Sequence, residues 1–143
     1  MIYKKAETLN EIGKAFILRY KVFVLEQGFG EDIEIDQIDN ISFHLIAKEN
    51  EKVIGTLRLF KKATNIMLGR MAIDKNYRKK GIGHALISKA MQEAKNLGGD
   101  YIIAHSQLDA LKFYQKNGFK QYGAEFMEDG APHIEVRYDL RLT

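Results

Sequence analysis

The sequence predicts a mixed α/β fold, with a central mixed sheet of six to seven strands and helices on both faces. Three observations predict it. Helical and strand-like segments alternate in the order β, α, three β, α, β, α, β, β, which favours helices packed on a shared sheet. The three consecutive strand-like segments are joined by short polar turns, so they form an antiparallel meander. A strand, a glycine loop, a helix and a short strand then follow one another, a unit that needs a parallel pair and a right-handed crossover.

Each element has its own signal. Residues 2–4 form a short first strand. Thr8 and Glu11 have capping-box spacing, and Ile12, Phe16, Tyr20 and Phe23 recur about once per turn, so a helix runs through them. Gly28, Gly30 and the acidic run from Glu31 to Asp39 read as a long loop. Residues 45–48 and 52–60 form a hairpin around Glu49-Asn50-Glu51. Residues 66–73 are the next strand. A helix over 82–97 carries apolar residues at 82, 85, 86, 90, 94 and 97 and stops at Gly98-Gly99. Residues 101–104 are a short buried strand, and 108–116 a helix ending in Asn117-Gly118. Residues 119–122 and 133–140 close the sheet.

Length and composition set the frame. At 143 residues with 45% hydrophobic content, the chain reads as one domain, 1–143, able to bury a core. No apolar run approaches the roughly 20 residues of a membrane span, and Met1 to Glu7 has no signal-peptide layout. A cytoplasmic protein with no membrane partner is expected. There is no cysteine, which removes disulfides, cysteine zinc sites and a cysteine nucleophile. The 22 basic and 19 acidic residues give a net charge of +3. The densest basic run is Arg78-Lys79-Lys80, and no broad basic face with interleaved aromatics is visible, so no nucleic-acid partner is expected. His44, His84 and His105 match no zinc spacing, and no metal is expected.

The most informative stretch is Arg78-Lys79-Lys80-Gly81-Ile82-Gly83-His84. It lies between a strand and a helix. Glycine lets the backbone present N–H groups without a Cβ in the way. A helix N-terminus adds unpaired donors and a partial positive charge. Together these suit a phosphate-bearing ligand. The stretch is neither a Walker loop nor the dinucleotide G-x-G-x-x-G, because no Gly-Lys-Ser/Thr closes it and position 86 is Leu.

This stretch fits Arg/Gln-x-x-Gly-x-Gly/Ala and resembles the acetyl-CoA pyrophosphate loop of the GNAT N-acetyltransferase superfamily. A second run, Ala110-Leu-Lys-Phe113-Tyr114-Gln-Lys-Asn117-Gly118-Phe119, is similar to that family's A-x-x-F-Y-x-x-x-G-F signature. Arg19-x-x-Val22-Phe23-Val24-x-Glu26-Gln27, Gly69-Arg70-Met71 and the run Glu128 to Ile134 resemble its ElaA/YjcF-like branch.

The resemblance implies a GNAT fold and transfer of an acetyl group from acetyl-CoA to a primary amine. The acceptor would be a small molecule or a peptide, and attack would be direct, in a ternary complex. The rival from another class is a non-catalytic CoA-binding or regulatory module, which would keep the glycine loop and dispense with Tyr114 and His133. A homodimer stays open. For CoA, the implied contacts are Met71, Ala72 and Ile73 on the strand, Arg78, Lys79, Lys80, Gly81, Ile82, Gly83 and His84 in the loop, and His105, Gln107 and Tyr114 beyond it.

Tyr114 is expected beside the sulfur, where its phenol can give a proton to the leaving thiolate. Its bland alternative is packing along the cofactor. His133 follows Gly130-Ala131-Pro132, a turn that can deliver an imidazole as base; the plain alternative is a locally bonded histidine at a strand start. Glu128, Glu26 and water are the competing bases. Arg19 and Glu26 lie seven apart, on one helical face, and with Arg70 are expected to touch the acceptor; a solvated charged face is the alternative. Met67, Met71, Met91 and Met127 read most simply as core fillers.

Overall fold

The computed structural model describes residues 1–31 and 35–142. Of the acidic run, Asp32, Ile33 and Glu34 lie outside the described residues. The strands are β1 (Ile2–Lys5), β2 (Phe43–Glu49), β3 (Lys52–Lys62), β4 (Asn65–Ile73), β5 (Tyr101–Gln107), β6 (Lys120–Glu128) and β7 (Ala131–Asp139). They form one seven-stranded sheet in the order β1-β2-β3-β4-β5-β7-β6. Every neighbouring pair is antiparallel except β4 and β5, which are parallel. The helices are α1 (Leu9–Arg19), α2 (Ile82–Asn96) and α3 (Leu111–Lys116).

Helices cover both faces, as the alternation predicts. On one face, Ala15 and Leu18 of α1 pack with Val22 against Ala6, Ile46, Val53 and Ala72. On the other, Leu86, Ile87, Ala90 and Ala94 of α2 pack against Leu45, Leu57, Leu59, Ile66 and Ile102. The alternate pointing of Leu45 and Ile46 divides the two cores. With both faces covered, β3 reads as a nearly continuous buried run. No described helix is long and apolar enough to cross a membrane.

The Thr8–Glu11 capping box closes in both directions. Glu11 also takes bonds from the backbone N–H of Glu7 and from Lys4 and Lys48, and these hold its carboxyl near 2. The helix predicted through Phe23 changes character after Arg19. Residues Tyr20–Glu26 form a wider π-helical stretch. Part of the acidic loop is a 3₁₀ turn, Gln37–Ile41, capped by Asp36.

Two strands run longer than the apolar pattern suggests. β5 continues past Ala104 because its alternation holds, with Ser106 buried and His105 exposed. β6 continues to Glu128 as an edge strand that pairs only with β7 and keeps mostly exposed side chains. The helix predicted over 108–116 is split into a 3₁₀ turn, Leu108–Ala110, and α3.

Candidate active site

β4 and β5 pair only where Ile66, Met67 and Leu68 meet Ile102, Ile103 and Ala104. Beyond Leu68 they part. β3 pairs with β4 through Arg58–Gly69 and then Thr56–Ala72, so Arg70 and Met71 together oppose Leu57. This is a β-bulge, and Arg70 takes the left-handed conformation there, φ 51°. A branched-chain-free glycine would hold that conformation at lower cost, so the bulge is strain kept at a site. From Gly69 to Ile73 the side of β4 that faces β5 has no strand partner.

The gap opens into a cavity of about 670 Å³. Tyr114, His133 and Glu128, the three candidate catalytic residues, all line it. So do Met71, His105 and Gln107 from the expected CoA contacts, and Arg70 from the expected acceptor contacts. Phe23, Phe29, Ile38, Phe60 and Met67 supply an apolar wall, and Met71, which also packs against the α2 core, lines the cavity with them. At the rim, Gln107 at the end of β5 donates to Gln27 just past the π-helical stretch, at 3.0 Å.

Tyr114 is buried, and its ring packs edge-on between Phe113 and Phe119. Burial pushes its phenol up to about 12, so the hydroxyl stays protonated at neutral pH. His133, also buried, stands with Nδ1 2.8 Å from the carbonyl oxygen of Ala131. Glu128 accepts from Nδ1 of His105 at 2.9 Å and lies 3.9 Å from Nε2 of His133.

The glycine loop stands outside that cavity, at the start of α2. Gly81 is the N-cap of α2 with φ 81°, and no side chain caps the helix. The first helical bond runs from Ala85 N–H to Gly81 oxygen, which leaves the N–H groups of Ile82, Gly83 and His84 available to an anion. Lys79 also has positive φ, 63°. The Nζ of Lys80 lies over the ring of Tyr77.

Gly83 differs from the reading of an open approach to the backbone. A Cβ there would sit 3.2 Å from the Phe113 ring and 3.3 Å from Cε of Met71, so this glycine lets α2 pack closely on the second motif. His84 is hydrogen-bonded to Oδ1 of Asn117. Ala72 is buried in the α1 core, and only its backbone can serve a ligand.

Three charged residues are placed differently from expectation. Arg19 does not share a solvent face with Glu26. It is 1% exposed and forks onto Asp39 at 2.8 and 3.0 Å. Neither residue lines the cavity. Glu26 instead pairs with Arg78 at 2.6 and 2.8 Å, and Arg78 Nε donates to the carbonyl of Ile73. Arg78 therefore ties the end of β4 to the π-helical stretch. The i,i+7 rule fails because the helix widens between the two residues.

A buried ion network was not legible from spacing. Arg58 contacts both Asp36 and Asp39 at 2.7 and 3.0 Å, and Arg70 reaches Asp36 at 3.3 Å. His44 Nε2 lies 3.1 Å from the Asp39 carbonyl. Burial would raise the Asp39 carboxyl, but Arg19, Arg58 and the Asp36 N–H outweigh it and hold it near 2. The one sequence signal was Asp36 and Asp39 three apart, which is the capping box of the 3₁₀ turn. Through Asp36 and Arg58 the network reaches the cavity wall and steadies Arg70 at the bulge. Among the described residues, no group of three or more His, Asp or Glu converges to hold a metal ion.

Comparison with known proteins agrees with this geometry. A family model described as an acetyltransferase (GNAT) domain matches residues 9–140. A Bacillus subtilis (strain 168) protein described as the uncharacterized N-acetyltransferase YjcF is 34% identical over 141 residues, covering 97% of this chain and 98% of that one. Protein ElaA of Escherichia coli (strain K12) is 29% identical over 130 residues, covering 86% and 84%. Among solved structures, an N-acetyltransferase described as putative from Lactobacillus plantarum superposes with a TM-score of 0.90 at 29% identity, covering 97% of each chain. An aminoglycoside 6'-N-acetyltransferase complexed with coenzyme A shares the fold at a TM-score of 0.80 and 14% identity, covering 98% and 97%. With a GNAT domain matched over nearly its whole length, and both relatives matched along most of theirs, this chain belongs to the GNAT acetyltransferase family, in its ElaA/YjcF-like branch.

Proposed function

We propose that this protein transfers an acetyl group from acetyl-CoA to a primary amine by direct attack in a ternary complex. One observation carries the reading. The parting of β4 and β5 joins an uncapped helix N-terminus on one side to a cavity holding Tyr114, His133 and Glu128 on the other. The residues present fit the two ends of the donor. Lys79, Lys80 and the N–H groups of Ile82 to His84 suit a pyrophosphate. The unpaired side of β4 from Gly69 to Ile73 suits an extended amide-bearing arm, with Met71 N–H near a thioester carbonyl.

The amine attacks the thioester carbon, a C–N bond forms, the C–S bond breaks and CoA leaves as its thiolate. An alkylamine near 10.4 is protonated at pH 7 by about three orders of magnitude, so the enzyme must remove protons from it. His133 Nε2 is the base of this reading, with Glu128 beside it. Tyr114 donates to the sulfur. No cysteine is present to form an acyl-enzyme. The acceptor is a small molecule or a peptide that reaches a cavity with an apolar wall. The test is acceptor-dependent release of CoA thiol from acetyl-CoA across a panel of amines. Release with at least one primary amine is expected. Binding of acetyl-CoA with no acceptor-dependent release from any amine would favour a non-catalytic CoA-binding module instead.

A further inference from the structure

On the cavity wall, His105, Glu128 and His133 form a linked polar trio. The Ala131 carbonyl at 2.8 Å can only accept, so the proton of the neutral His133 ring sits on Nδ1 and Nε2 presents a lone pair. Glu128 Oε1 takes a hydrogen bond from His105 Nδ1 at 2.9 Å, which fixes the carboxylate from β5. The Phe126 ring stacks against His133 and meets His105 edge-on, spacing the two imidazoles. His133 Nε2 and Glu128 Oε2 then face each other at 3.9 Å. That is too far for a hydrogen bond between them and near the spacing of two acceptors shared by one nitrogen. Both line the cavity.

We propose that His133 Nε2 and Glu128 Oε2 together seat the acceptor nitrogen, that His105 is the residue which positions Glu128 for it, and that the seat admits primary amines over secondary ones. This rests on the acetyltransferase reading above. The ammonium gives its first proton to solvent on entering, and the neutral primary amine that remains has two N–H groups and one lone pair. With one N–H on each acceptor, the lone pair is left for the thioester carbon. As the C–N bond forms and the C–S bond breaks, one seated proton passes to His133 Nε2, where the Glu128 carboxylate stabilises the imidazolium. The thiolate takes its proton from Tyr114 or water. A secondary amine has one N–H and leaves one of the two acceptors without its partner, a loss felt most at His133, the buried one of the two.

The surrounding charges suit a cationic arrival. Asp109 and Asp129 line the same cavity, and Glu135 lies 3.9 Å from His105 Nε2 while paired with Arg137 at 2.6 Å. Of the cations on the cavity wall, Arg58 and Arg70 bond Asp36, and Lys62 ends β3.

The test uses the whole chain with acetyl-CoA and two probes, benzylamine and N-methylbenzylamine. The wild type should prefer benzylamine by at least about tenfold in kcat/KM. His105→Ala should lose about tenfold on benzylamine, and His105→Asn, which can still donate to Glu128, should recover most of that loss. An ¹⁵N NMR spectrum of the free protein should show neutral His133 with its proton on Nδ1, a readout that needs no turnover. Equal rates on the two amines, a His133 proton on Nε2, or His105→Asn as impaired as His105→Ala would each overturn the proposal. Transfer to neither amine nor to any amine of the panel, with the Nδ1 tautomer observed, would count against the acetyltransferase reading while supporting the geometry of the seat.

Discussion

Asp39→Asn is the substitution whose cost the structure defines best. Asp39 is 9% exposed and binds two guanidiniums, Arg19 and Arg58, of which Arg19 is 1% exposed. Asparagine keeps the shape but removes the charge both cations share. Breaking a buried pair from one side costs about 3–5 kcal/mol, because a buried charge loses its compensation. The pH dependence gives an independent figure. The carboxyl falls from 3.8 to about 2 on folding. That gap of roughly 1.8, at 1.36 kcal/mol each, is about 2 kcal/mol of stability from ionisation alone. A depressed folded value means this stability is present above about 3.8 and is lost as pH falls toward 2.

The assay is urea denaturation of wild type and Asp39→Asn at a series of pH values from 7 to 2. At pH 7 the variant should be less stable by about 3–5 kcal/mol. The difference between the two proteins should narrow below pH 4. The difference is the quantity to follow, because Glu11 is also held near 2 and contributes its own acid limb to both proteins. A penalty under about 1 kcal/mol at pH 7, or a gap that stays constant down to pH 2, would refute the network's role.

Three further outcomes follow from the site. Gly83→Val should cost about 1–3 kcal/mol of stability by overpacking Phe113 and Met71, whereas Gly81→Ala should cost about 1–2 kcal/mol through its positive φ alone, since nothing stands within 4 Å of the added Cβ; thermal denaturation separates them. Calorimetric CoA affinity should weaken as ionic strength rises from about 0.01 to 1 M, because Lys79, Lys80 and the α2 N-terminus act through charge; a flat profile would remove them from the CoA site. Tyr114→Phe should lower turnover about 10²-fold with little change in acetyl-CoA binding, and a drop under twofold would exclude the hydroxyl; the loss lies low in the range for a positioned acid because a phenol near 12 is weaker than a thiol near about 8.5.

The fold was legible because its signals are local. The capping box at Thr8, the Gly98 stop and the alternation of helical and strand periods all operate within one or two turns of chain. The glycine turn before α2 was legible for the same reason, since a left-handed Gly81 before a helix is written in consecutive residues. Pairings between distant segments were not. Glu26 and Arg78 are 52 residues apart, and Arg58 and Asp39 are 19 apart. No periodicity connects either pair. Arg19 was misplaced because its spacing to Glu26 presumes an unbroken α-helix, and the π-helical stretch from Tyr20 rotates Glu26 away. The packing role of Gly83 was hidden because a sequence cannot say which neighbour a missing Cβ would strike.

The cavity opens where the sheet fails to pair, and the reason can be followed along β4. From Ile66 to Leu68 the strand is held on both sides, by β3 and by β5. At Arg70 the bulge adds a residue against β3, so the strand bends while β3 keeps its own course. β5 instead follows β7, pairing with it from Tyr101 to Gln107. The two central strands are thus drawn to different partners, and from Gly69 to Ile73 the β5-facing side of β4 has no strand partner, the Ile73 carbonyl taking a bond from Arg78 Nε. An unpaired strand side costs free energy in a closed core, and here it borders a cavity. The same divergence carries His105 at the end of β5 toward β7, into the reach of Glu128. One irregular residue, Arg70, therefore marks where β4 leaves β5, and the continued β5–β7 pairing places His105 on the cavity wall.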